Sequence, residues 1–162
     1  MAGPAASILL RNPIDLDKKA QIRTYISDRS EVVDGDDFWI DGRPFVVIFG
    51  EEYHGELDEY REQLQDVLPW KPTDIFSLIA MCNQPRDHRL LGELCLHFCG
   101  QLDGLIDFGG DTGISPTGNR KFRGLLLRVP YDTAAGHQAF CQCGDAAFLE
   151  WYLTQPDFKM VK

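Results

Sequence analysis

The run from Asp87 to Leu102 sets Leu91, Leu94, Cys95, Phe98, Cys99 and Leu102 on one helical stripe, and Leu90 and Leu96 widen that stripe nearly all round. A helix that is apolar on almost every side has no face to give to water, so the rest of the chain must be built around it. With 162 residues there is material for one compact domain made of two lobes sharing a core.

Upstream of the helix, Ser7 to Asn12 reads as a strand, and Asn12-Pro13 offers an N-cap and a first-turn proline for a helix running to about Arg29, with Ile22 and Ile26 on one face. Asp37 to Ile40 and Pro44 to Phe49 are β-rich runs joined by Asp41-Gly42-Arg43, which predicts an antiparallel hairpin. Leu57, Tyr60, Leu64, Val67 and Leu68 recur at helical spacing over 55–68, and Asp74 to Cys82 reads as a buried strand. The order strand, helix, hairpin, helix, strand is that of a ferredoxin-like (βαββαβ) lobe over 7–82. In the second lobe, 83–162, the buried helix is followed by strands at Leu105 to Phe108, Phe122 to Val129 and Gln138 to Cys143. A last helix, capped by Asp145, carries Phe148, Trp151 and Tyr152. The fold class expected is therefore α+β.

Charge is distributed unevenly. Twelve acids lie between Glu31 and Asp66 with only Arg43 and Arg61 against them, a balance of −10, while the remaining residues balance to +1. About a fifth of the chain thus supplies the whole net charge of −9. On the helix expected over 55–68, Asp58, Glu59, Glu62 and Asp66 share the face opposite the leucines, and each like-charged pair four residues apart costs roughly 0.2–0.5 kcal/mol. A surface shaped only by solubility mixes signs. A single-signed one suits docking onto a basic protein and disfavours nucleic acid and anionic membranes. The partner-binding candidates are Asp34, Asp36, Asp37, Glu51, Glu52, Glu56, Asp58, Glu59, Glu62 and Asp66.

Other groupings are weaker signals. His54 among Glu51, Glu52 and Glu56 is the one arrangement suited to acid–base chemistry, and it defines the alternative reading of a small hydrolase or transferase. Cys141-Gln142-Cys143 points both thiols to one face of a strand but has no second pair at zinc-site spacing, and Cys95, His97 and Cys99 belong to the buried helix. The five cysteines are therefore expected as core thiols in a reducing cytosol, with no metal and no cofactor. Gly109 to Gly118 holds four glycines and reads as a mobile loop lacking the P-loop lysine. Arg120, Lys121, Arg123 and Arg128 form the basic cluster. No signal peptide and no apolar run of membrane-spanning length is visible, which implies a cytoplasmic location.

The second half carries a resemblance. Met81-Cys82-Asn83, then Asp87-His88 entering the leucine helix, Gly104 to Gly110, and the ending from Gly144-Asp145 to Asp157-Phe158-Lys159-Met160-Val161-Lys162 resemble an uncharacterised bacterial domain family over about residues 75–162. Its members look like immunity proteins of polymorphic toxin or type VI secretion systems. The resemblance implies a protein that binds and neutralises a cognate toxin, and it carries over no catalytic residue. A toxin that handles nucleic acid or nucleotides needs a basic site for phosphates, which an acidic face would occupy. A ligand-sensing regulatory domain is a further reading, by fold analogy alone.

Overall fold

The computed structural model describes residues 3–50, 66–132 and 135–161. Their elements are β1 (Ala5–Leu10), α1 (Leu16–Arg29), β2 (Val32–Asp34), β3 (Asp37–Ile40), β4 (Arg43–Phe49), β5 (Asp74–Ala80), α2 (Pro85–Leu102), β6 (Leu105–Asp107), β7 (Leu126–Asp132), β8 (Gln138–Gly144) and α3 (Ala146–Leu153). The eight strands form one antiparallel sheet in the order β2-β3-β4-β5-β1-β6-β8-β7. The molecule is α+β, as its sequence patterning requires.

Strand order departs from the ferredoxin-like expectation. That arrangement would insert β1 between β4 and β5, whereas here β5 lies between β4 and β1. The split β-α-β unit falls elsewhere: β5 and β6 run in the same direction with β1 antiparallel between them, and α2 links the two. This crossing places α2 over the middle of the sheet, where Leu90, Leu91, Leu94, Cys95, Phe98 and Cys99 are buried. The second helix expected over 55–68 lies outside the described residues except at its end, where Asp66 to Leu68 form a turn.

Local chemistry accounts for most boundaries. The Asp41-Gly42 loop has positive φ at both residues (51° and 68°), as a type I′ hairpin turn demands. The α1 N-cap is Asp15, whose carboxylate accepts from Lys18 N at 2.8 Å, and the helix begins at Leu16 rather than at Pro13. Upstream of it, Ile14 N donates to Asp74, which ties the segment to β5. β7 starts at Leu126, four residues later than expected, because Gly124 takes φ +78° and its α-carbon closes to a point where an added Cβ would lie 2.4 Å from Phe148 N.

All three described helices pack on one face of the sheet. Alternation sends Ile8, Leu10, Phe76, Leu78, Phe45 and Val47 to that face, and Ile22, Ile26, Leu91, Phe98, Phe148 and Tyr152 meet them in one cluster that draws on both lobes. The other face carries a smaller cluster of Leu9, Ile75, Leu105, Val129, Cys141 and Cys143, with Leu68 packed onto it.

Candidate functional site

The acidic candidates that can be placed sit at the β2 end of the sheet. Glu31, Val32, Val33, Asp34 and Asp37 are exposed there, Asp36 is half-buried, and the two valines are among the few large apolar residues left open, at 54% and 45%. Gly35, at φ +63°, opens the two-residue loop that turns β2 into β3, so Asp34 and Asp37 face each other as register partners. β2 is the outermost of the described strands: one side pairs with β3, and no strand among the described residues covers the other. The sequence pattern predicts no strand here, only a run of acids. The signal available was Val32-Val33, a short apolar pair held between acids.

Part of that charge is spent inside the molecule. Arg23 of α1 donates to Asp36 at 2.6 Å and to the Gly35 carbonyl at 3.2 Å, Arg86 of α2 pairs with Asp41, and Glu31 accepts from Gly42 N at 3.0 Å. Asp34 and Asp37 have no ion-pair partner among the described residues. The best-buried pair lies just behind. Arg43 donates through Nε and Nη2 to both oxygens of Asp87, each at 2.6 Å, and Asp87 also accepts from Gln84 N at 2.6 Å, which caps α2. The guanidinium holds the Asp87 carboxyl below the usual carboxylate range against the opposing push of burial. Asp66 is exposed in its turn, on the far side of 51–65 in sequence. Glu51, Glu52, Glu56, Asp58, Glu59 and Glu62 lie outside the described residues, and so does His54.

At the opposite end of the sheet the polar groups point inward. Gln142 of β8 is buried, and its Oε1 accepts from Thr112 N (2.8 Å) and Thr112 Oγ1 (2.6 Å) while Nε2 donates to the Ile114 carbonyl (2.7 Å). The loop after β6 is therefore anchored rather than loose. Ile114 is 3% exposed, and the Tyr152 hydroxyl lies 3.1 Å from the Thr112 carbonyl. A fully buried amide that satisfies three loop groups is a structural clamp, and glycine content alone does not reveal it.

On the second face, register brings chemistry-bearing side chains into a row. Ser77 pairs with Ser7, Ser7 with Asp107, and Asp107 with Cys143, and the two serine hydroxyls are 2.7 Å apart. Cys141, two residues along β8, shares that face, as its alternation with Cys143 predicts. Asp107, Cys141 and Cys143 each offer a donor atom, all within 4.8 Å of one another, and all three residues are buried. Asp107 accepts from Gly109 N at 2.8 Å. The hydrogen bond to Cys141, together with burial and the Asp107 charge, pushes the Cys143 thiol well above its ordinary range. On α2, burial raises Cys95 and Cys99 as well, and His97 is turned away to stack on Tyr25 with ring centroids 3.4 Å apart.

The basic cluster disperses. Arg120 forms a two-pronged pair with Asp157 at 2.9 Å, and Arg128 lies over the Phe140 ring at 3.4 Å in a shallow cleft beside Ile114 and Gln142. Lys121 and Arg123 are exposed.

Residues 2–162 match a family described as a family of unknown function, DUF6368. The chain belongs to that family. The DUF6368 match takes in both halves of the molecule, so the acidic β2 end and the buried row lie within the matched residues. No curated protein and no solved structure matches this DUF6368 chain. No helix among its described residues is long and apolar enough to cross a membrane.

Proposed function

We propose that this chain is a cytoplasmic immunity protein that binds a basic toxin domain through the β2 end of its sheet and blocks it. The observation that carries the reading is the edge strand itself: Val32 and Val33 stand open on its two faces, with Glu31, Asp34 and Asp37 beside them and, among the described residues, no strand paired along its outer edge. An unpaired strand edge that carries exposed apolar side chains among charges is a place where an extended segment of a partner can dock. Natural edge strands that meet no partner are kept short and charged, and β2 is both, but such protection gives no reason for two exposed valines at its centre. The charges select a basic partner and speed encounter by long-range attraction. The −10 segment from Glu31 to Asp66 and the resemblance to immunity proteins point the same way.

The test is survival of cells that co-express the chain with a basic toxin domain identified by sequencing the genes beside its own. The variant Val33→Arg/Asp34→Lys/Asp37→Lys is expected to remain folded by circular dichroism and to lose protection. Full protection by this folded variant would remove the β2 end from the interface.

A further inference from the structure

We propose that Asp107, Cys141 and Cys143 form a binding site for a thiophilic divalent cation of the zinc class on the face of the sheet opposite the three described helices. Two strands build the site. β8 presents both thiols on one face through its two-residue alternation, and the antiparallel register sets Asp107 of β6 directly against Cys143. The sequence shows the two thiols. Only the pairing of β6 with β8 supplies the third donor.

Distances and chemistry both fit. A tetrahedral ion holds sulfur ligands at about 2.3 Å some 3.8 Å apart and a sulfur and an oxygen ligand about 3.5 Å apart, so donors that already lie within 4.8 Å of one another need to close by about 1.3 Å or less. Two thiolates and a carboxylate are a soft, anionic set that suits zinc and excludes magnesium and calcium, which take oxygen ligands. Burial at 1%, 7% and 0% exposure for Asp107, Cys141 and Cys143 supplies the dry surroundings that strengthen such coordination. The Gly109 N–H bond to Asp107 fixes the carboxylate's orientation, as outer-shell donors do at metal sites. Three protein ligands leave a fourth tetrahedral position. Metal-bound cysteines are thiolates, so each divalent ion taken up by both thiols releases two protons to solvent.

The experiment uses the full reduced chain with Zn2+ and Cd2+ alone as probes. The expected result is one equivalent bound, two protons released per ion, thiolate-to-cadmium charge-transfer absorption in the ultraviolet, and a melting temperature that rises with Zn2+ and returns on chelation. Cys143→Ser should lose the absorption. Asp107→Asn keeps an acceptor for Gly109 N, so the turn it serves is preserved, and should weaken binding about tenfold or more. Cys95→Ala/Cys99→Ala should bind as the parent does. Proton release from the parent chain keeps the test decisive if a β8 variant fails to fold. Absence of stoichiometric binding by the parent, or absorption unchanged in folded Cys143→Ser, would overturn the assignment.

Discussion

The two ends of the sheet handle polarity in opposite ways. At the β2 end the charged groups lie on the surface, held to α1 and α2 by Arg23 and Arg86, with two valines left in the open. At the β8 end Asp107 and Gln142 are buried together with Cys141 and Cys143, and the edge strand β7 carries Pro130, which has no N–H to offer a further strand. One end leaves charges and valines exposed to solvent, and the other turns its polar groups inward, where loop atoms satisfy Gln142. An inward polar group supports the fold and its loss costs stability, whereas an outward one contributes to encounter and its loss costs binding.

The hardest blow to that contrast falls where the two kinds of group meet, at Arg43 and Asp87. Asp87→Ala strips Arg43 of its partner and α2 of its cap, and should destabilise the fold by roughly 3–5 kcal/mol in urea titrations at neutral pH. The sign of the pH dependence follows from the depressed folded pKa. The contribution is fully present above the unfolded carboxyl value of about 3.9 and is lost as pH falls through the lower folded value. The gap between parent and variant should therefore narrow in acid. A gap that widened below pH 4 would contradict the pairing.

Gln142→Ala comes next, at about 2–4 kcal/mol, because it leaves two Thr112 groups and the Ile114 carbonyl without their partner. Limited proteolysis should then cut within 109–118, where the parent resists. A loop equally resistant in the variant would mean that Tyr152 and Ile114 suffice to hold it. Smallest is Asp34→Asn/Asp37→Asn, expected to shift stability by no more than about 0.5 kcal/mol, since neither carboxylate supports the fold. A loss above about 1 kcal/mol would make this end of the sheet structural too.

Much of this was legible in the sequence, for identifiable reasons. The I′ turn at Asp41-Gly42, the apolar stripe of α2 and the Asp145 cap of α3 are local codes, readable within a few residues. Strand order was not legible. Whether β5 settles beside β4 or across β1 depends on partners about 70 residues apart in the chain, and no period within either strand specifies it. The candidate cation site was half legible for the same reason: two thiols by alternation, the carboxylate by register alone. β2 escaped because a three-residue strand amid acids lacks the length over which alternation shows.

The central claim is that the β2 end recruits a basic partner through its charge. Stopped-flow association with a basic toxin domain, at low and high salt, tests it most directly for the parent and for Asp34→Lys/Asp37→Lys. The account predicts an on-rate for the parent that falls by about tenfold or more as salt rises, and a slower variant with a flatter salt dependence. A parent on-rate indifferent to salt, or a variant that associates like the parent at every salt concentration, would contradict it.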